Sequence, residues 1–329
     1  MRRFFVIALL SVGLVALGTP VHAQLVITGN FTSNFNTNFG ANAAAAQAAW
    51  NAAASVFTSN FNDPIHINIT VDAVAGTGVF GQSNTFLNSV TYANLYAAVV
   101  ADAKSASDNI AIGAGGSMVA ADPIGGTHTW WVTTAQAKAL GLTADNLNND
   151  GTTTFGAGNP FTFSGAIAAG TDDFKGVAAH EISEVLGRLG ISGGTIGSSP
   201  NSYSLIDNFT YSGAGVKGPG NGGGLRFSIN NGTTLQNLFN NQASVGADSR
   251  DWALGNPDDA FNQFSSSGVV NPVTGVDLQL MDVLGYDLVA VPEPATVALM
   301  GLAIAAVGYQ GWCYRRNLSH ALNKPLSHS

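Results

Sequence analysis

The residue pattern predicts an α+β protein: strand-like and helix-like stretches are mixed, without the regular βα alternation of a doubly wound sheet. Ile65–Val71 alternates apolar with polar side chains, as a half-buried strand does. Ala43–Phe57 is rich in alanine, with Trp50 and Val56 among the alanines, and reads as a helix. Phe174–Leu189 repeats apolar residues at helical spacing (Phe174, Ala178, Ile182, Val185 and Leu189), which gives a second helix one buried face.

The remaining elements follow in chain order. Tyr92–Lys104 predicts a helix, and Ile110–Ala121 fits neither pattern. His128–Val132 predicts a strand, and Thr134–Leu140 a short helix closed by Gly141. Asp145–Gly151 is rich in oxygen donors. It reads as a turn before the strand Thr152–Phe155, with a calcium loop as the alternative, although it lacks the downstream Glu of such loops. The glycine-rich run Gly213–Gly224 predicts a surface loop. Leu225–Ile229 reads as a strand, Thr234–Phe239 as a short helix, and Asp277–Tyr286 as a final helix stopping at Gly285.

The two ends carry addresses rather than fold. Arg2 and Arg3, the apolar run Phe4–Leu17 and the small residues around Ala23 predict a secretory signal peptide over 1–23, removed by signal peptidase. Near the other end, Val291-Pro292-Glu293-Pro294 precedes Ala295–Tyr314, 20 uncharged residues that are long enough to span a bilayer, and then Arg315 and Arg316. The arginines predict a cytoplasmic end, with the domain outside. This triplet, span and basic pair resemble the PEP-CTERM sorting signal, which implies a bacterial, exopolysaccharide-associated setting and processing by an exosortase. The predicted division is therefore a signal peptide at 1–23, a domain at 24–290, a sorting segment at 291–316 with its transmembrane helix at 295–314, and a short cytoplasmic tail at 317–329.

Between Gln24 and Ala290 stand seven Lys/Arg, 17 Asp and two Glu, a formal charge of −12. So acidic a chain, with no basic run, excludes nucleic acid and anionic lipid as partners of the domain. Cys313 is the only cysteine, so the exported domain has no disulfide and depends on core packing and bound metal. The whole chain has three glutamates, Glu181, Glu184 and Glu293, and both of those in the domain lie in one helical turn.

Thr171-Asp172-Asp173 can cap that helix, and His180 and Glu184, four apart, project from one side of it. An imidazole and a carboxylate so spaced can bind one zinc ion, and Glu181 then stands where a general base would take a proton from metal-activated water. Asp207 is the expected third ligand, in a segment after the flexible connection Gly190–Pro200 that can fold back over the helix. His128 is the next choice, and His66 follows. Arg188, four after Glu184, is placed to pair with it; Met281 could lie beneath the site; Tyr203, Tyr211 and Tyr286 could each stabilise an oxyanion.

His180-Glu181-Ile182-Ser183-Glu184, followed by Gly187, resembles the zincin and metzincin metalloprotease helix. Glu184 stands for the second histidine, and Gly190 occupies the third-ligand slot without a side chain. Asp172–Arg188, Ser202–Gly215, Arg250-Asp251-Trp252-Ala253 and Asp277–Leu288 are similar to a group of PEP-CTERM metalloproteases with a His-Glu-x-x-Glu helix. The resemblance implies a zincin-like domain, a mixed sheet with packed helices and an active-site helix. It also implies a secreted zinc endopeptidase acting on protein or peptide substrates. Two other readings stay open: a non-catalytic extracellular matrix protein that keeps the fold, and an acidic calcium-binding module.

Overall fold

The alternation that begins at Ile65 becomes an interior strand of a mixed sheet. The computed structural model describes residues 24–218, 220, 222–240, 248–289 and 307–312. Its strands are β1 Val26–Phe31, β2 His66–Val74, β3 Gly81–Thr85, β4 Leu87–Val90, β5 Thr129–Thr133, β6 Asn149–Gly156, β7 Phe161–Thr162, β8 Asp172–Asp173, β9 Gly194–Ile196, β10 Ser199–Ser204, β11 Thr210–Gly213, β12 Val216–Lys217 and β13 Arg226–Phe227. Its helices are α1 Ser33–Phe39, α2 Ala43–Asn60, α3 Tyr92–Asp102, α4 Ala106–Ile112, α5 Thr134–Ala139, α6 Phe174–Val185 and α7 Gly275–Val283. The α+β expectation holds.

The sheet that positions the site has the order β1-β2-β6-β3. Strands β1, β2 and β6 are parallel, while β3 runs antiparallel along β6 and forms an edge. Ile67, Ile69, Val71 and Ala73 point into the core from β2, every second residue, as the period of a strand requires. Helices α2 and α6 pack together, and α6 also lies against β6 and β3. Trp50 of α2 is wholly buried, and its indole N–H donates to Thr153 Oγ1 on β6 at 3.1 Å. Phe174, the first residue of α6, is ringed by Phe39, Phe155, Phe161 and Phe163 with centroids 4.8–5.7 Å apart. A second sheet, β4-β5-β10-β9, and a three-stranded one, β12-β11-β13, complete the framework.

Several local expectations are corrected. The helix that carries His180, Glu181 and Glu184 stops at Val185 rather than at Leu189. Thr234–Phe239 is not helical: the N–H groups of Gln236 and Phe239 donate to the carbonyls of Phe227 and Leu225, away from any helix ladder. The strand expected over Leu225–Ile229 shrinks to Arg226–Phe227, and the glycine-rich loop contains the two paired residues of β12. Gly190–Pro200, read as a flexible connection, holds β9 and the start of the antiparallel β10. The polar strands β3 (GQSNT) and β4 (LNSV) carry little apolar pattern and went unrecognised, as did β1.

The oxygen-rich stretch Asp145–Gly151 is built around a lysine. The Lys138 ammonium donates to the carbonyls of His66 and Asn146 and to Asp150 Oδ2, at 2.9, 3.1 and 2.7 Å. Both charged side chains are about 1% exposed. Two of the oxygens that suggested a calcium loop thus meet a side-chain cation, while Asp145 bonds His66 and Asn149 bonds Thr70.

The chain divides into two units at Leu288/Val289. In the first, the last residues are tied back to its start: Asn62 N–H donates to the Asp287 carbonyl at 2.9 Å, and Asp287 N–H to Asp63 Oδ2 at 3.0 Å. Of the second unit, 289 and 307–312 are described, the latter helical. The signal peptide expected at 1–23 lies outside the described residues, as does most of the expected span 295–314. Among the described residues no helix is long and apolar enough to cross a membrane.

Removing one partner of a buried ion pair strands the other charge. Lys138→Met is therefore expected to lower stability by about 3–5 kcal/mol. Adding Asp150→Leu should recover much of the loss, and denaturant titration of the single and double variants measures both steps.

Candidate metal centre

Asp173 starts the site helix by accepting the Lys175 N–H at 3.1 Å on its side chain. Phe174, Ala178, Ile182 and Val185 are completely buried on one face. Seating that face fixes the opposite one, which carries Val177, His180, Glu181 and Glu184 into a cleft of ≈740 Å³. The helix ends because the chain turns at Gly187, whose φ of 119° suits glycine. A side chain there would also strike Gln136, with a Cβ 2.9 Å from Cδ. This turn swings Arg188 back beneath the helix, where its backbone N–H donates to the Ser183 carbonyl at 3.0 Å.

Three side chains converge in the cleft. His180 Nε2 lies 3.4 Å from Glu184 Oε1 and 3.4 Å from Asp251 Oδ1. One ligand atom from each of the three falls within 4.8 Å of the others. Four ligands at the ~2.0–2.1 Å bond lengths usual for zinc stand about 3.3 Å apart at the corners of a tetrahedron. The two separations at His180 match that edge. His180 Nδ1 is 2.9 Å from the Ala260 carbonyl. A proton on Nδ1 satisfies that carbonyl and leaves the Nε2 lone pair facing the two carboxylates, the arrangement that orients a ligating histidine.

Arg188 holds the carboxylates from behind. Its side chain is fully buried, with Nη1 2.6 Å from Asp251 Oδ1, Nη2 3.4 Å from Glu184 Oε1 and Nε 2.7 Å from Ser183 Oγ. The ring of Phe261 lies 4.6 Å from the guanidinium carbon. Ser83 of β3 donates to Glu184 Oε2 at 2.7 Å, and the Asp248 N–H to Asp251 Oδ2 at 3.0 Å. Each ligand oxygen therefore has a fixed partner.

These neighbours set the proton affinities. Burial and Arg188 pull the His180 pKa down, but Asp251 and Glu184 outweigh them and raise it to about 9. Burial would raise Glu184, yet His180, Arg188 and Ser83 bring it down to about 2. Glu181 moves the other way: burial, reinforced by the charge of Glu184, pushes it well above the usual carboxylate range. Burial, with Glu184 and Asp251 nearby, raises Asp248 to about 7. Glu181 is 6% exposed and makes no hydrogen bond to a described residue. The first residue of β3 is Gly81, where a Cβ would lie 2.3 Å from Glu181 Oε1, so glycine is what lets the edge strand pass over this carboxylate.

Of the residues singled out from sequence, His180, Glu181 and Glu184 come together and Asp207 does not. Asp207 Oδ1 accepts from Arg250 Nη2 at 2.8 Å and Nε at 3.1 Å, and Oδ2 accepts from the Ser204 and Ser192 backbone at 2.9 and 3.1 Å. It caps the short 3-10 turn Leu205–Phe209, with its oxygens already engaged. His128 bonds Asp122 at 2.9 Å and His66 bonds Asp145 at 2.7 Å, both away from the cluster. Tyr211 and Tyr286 are buried, their hydroxyls directed to the Ser117 and Leu186 carbonyls, and Tyr203 packs on Trp130. None of the three tyrosines lines the cleft, and Met281 is core. The third member of the cluster, Asp251, was not among the residues singled out, although the segment Arg250-Asp251-Trp252-Ala253 had stood out. Asp207 still bears on the site at one remove, since it anchors Arg250, the neighbour of Asp251.

Residues 290–316 match the PEP-CTERM protein-sorting motif. That motif implies an exported, membrane-anchored precursor processed by an exosortase. No curated protein and no solved structure matches the chain.

Two outcomes follow from this geometry. A cation bound here would have to displace the proton that His180 keeps below about 9, so binding near neutral pH should release at least one proton, and the His180 share of that release should vanish as pH rises through about 9. Calorimetry in buffers of different ionisation enthalpy counts it. If the cluster holds a divalent cation such as zinc, Asp251→Asn should weaken its affinity by on the order of 100-fold or more, measured by competition with a chelating dye.

Proposed function

We propose that the domain is a zinc-dependent peptidase in which His180, Glu184 and Asp251 hold the ion and Glu181 is the general base. The observation that carries this reading is the pairing of a three-ligand cluster with an unpartnered buried glutamate in one open cleft. A divalent cation there would supply a Lewis acid and make water acidic enough to attack at neutral pH. The chain's own groups do the rest. Burial and the charge of Glu184 favour the protonated form of Glu181 when no cation is bound; a bound cation would offset them, leaving a carboxylate that takes a proton from the attacking water and then hands it to the departing amine. His180 is held by Ala260, while Arg188 and Ser83 keep the two carboxylates from swinging away.

The substrate reading rests on β3. Its one described neighbour in the sheet is β6, and Gly81, Gln82 and Ser83 line the cleft. The free edge can pair with an extended peptide, which would lie across the helix with a carbonyl over the cluster. A mixed sheet whose antiparallel edge strand overhangs a His-Glu-x-x-Glu helix supports the zincin-like interpretation.

A second reading draws on Arg188. Its guanidinium, with a protonated His180, already balances Asp251 and Glu184, so the cluster can persist as a structural ion-pair network in a non-catalytic extracellular protein. Metal content separates the two: the peptidase requires stoichiometric zinc in the purified protein.

Glu181→Gln is expected to retain zinc and lose hydrolysis of casein or a quenched fluorescent peptide by about 10²–10⁴-fold. Full activity in that variant would remove Glu181 from the mechanism.

A further inference from the structure

The cleft is one-sided in charge. Asp172, Glu181, Glu184, Asp248, Asp251 and Asp259 line it, whereas no lysine or arginine does among the described residues. Four of these acids are already committed. Glu184 and Asp251 belong to the cluster, Asp248 faces Glu184, and Asp259 accepts from Thr274 at 2.9 Å and from the Phe261 N–H at 2.7 Å. Glu181, nine-tenths buried and unpartnered by any described residue, points at the reacting centre. That leaves Asp172, at the end of the cleft where α6 begins.

Asp172 sits among aromatic rings. On the β7–β8 pair it is the register partner of Phe161, whose ring lies 5.1 Å from that of Phe80. The segment that follows Phe264 reaches the same end, where the Gly268 N–H and the Ser267 hydroxyl donate to the Thr171 carbonyl at 2.9 and 3.1 Å. Phe80 and Phe264 both line the cleft and are 36% and 43% exposed, unusual for rings beside a core. Two exposed rings and one carboxylate lining the same cleft suit an arginine or lysine side chain, with its apolar stem and cationic head. Gly81 stands over Glu181 and Val177, and Ser83 over Glu184, so β3 runs alongside α6 and places Phe80 toward the Asp172 end. Phe174 lies six residues before His180, about 9 Å along the helix. An extended peptide, at ~3.3 Å per residue, reaches Asp172 about three or four residues from the bond over His180.

We infer that Asp172, with Phe80 and Phe264, forms a subsite that selects an arginine or lysine three or four residues from the cleaved bond. The inference rests on the peptidase reading and adds the substrate class. Attraction between one carboxylate and one cation at a partly exposed site predicts about tenfold preference, shrinking with salt.

The test uses fluorescein-labelled decapeptides carrying arginine, norleucine or glutamate at a single scanned position. Their binding to the zinc-loaded full chain with Glu181→Gln is measured by anisotropy, and their cleavage by the unsubstituted protein is followed separately. Expected is about tenfold tighter binding of the arginine peptide than of the norleucine peptide at one position. That ratio should fall to about one in Asp172→Asn and persist in Asp258→Asn, an exposed acid that does not line the cleft. No arginine preference, or a preference that survives Asp172→Asn, overturns the subsite. Cleavage of the peptides without preference would overturn it while leaving the peptidase standing. Selective binding without cleavage would support the subsite and count against catalysis.

Discussion

The guanidinium of Arg188 is the interaction on which the site depends. It is wholly buried, so its charge has to be met by protein, and Asp251 and Glu184 meet it from opposite directions in sequence. Glu184 comes from the helix just before Arg188. Asp251 comes from a loop 63 residues later. Without a buried cation, two carboxylates this close would repel, and that loop would have no reason to close on the helix. The turn at Gly187 makes the bridge feasible, since a helix continued to Leu189 would carry Arg188 elsewhere.

A chain of local contacts runs outward from that bridge. Asp207 caps its own turn and clamps Arg250, which fixes the backbone one residue before Asp251. Trp252, one residue after it, is buried and donates to Asp277 Oδ1 at 2.7 Å, tying the loop to the N-terminal turn of α7. Phe261 covers the guanidinium, and its neighbour Ala260 offers the carbonyl that orients His180. One loop region thus supplies a carboxylate of the cluster, the cover over the counter-charge and the anchor for the imidazole.

How much of this was legible follows from the range of each interaction. The helix with His180, Glu181 and Glu184 could be read because its cap, periodicity and pair spacing all lie within 17 residues. The near-absence of glutamate elsewhere sharpened it. Asp251 could not be read, since its role comes from a loop closing over a long separation, through segments rich in Gly, Asn and Ser that carry no periodicity. Asp207 was chosen because a carboxylate after a glycine-rich connection looks the same whether it faces a metal or an arginine. The edge strand escaped because Gly-Gln-Ser-Asn-Thr has a strand's alternation of burial with hardly any apolar residue, its inner positions being small beside Glu181 and Glu184.

The internal charge balance also bears on the order of events during maturation. An exported chain folds outside the cytoplasm, where the supply of any particular ion is set by the surroundings rather than by the cell. A carboxylate pair met by its own arginine and a protonated histidine does not have to wait for that supply. Folding and loading become separable steps. The protein can reach its final architecture wherever the sorting segment delivers it, and any cation taken up there would have to displace the His180 proton.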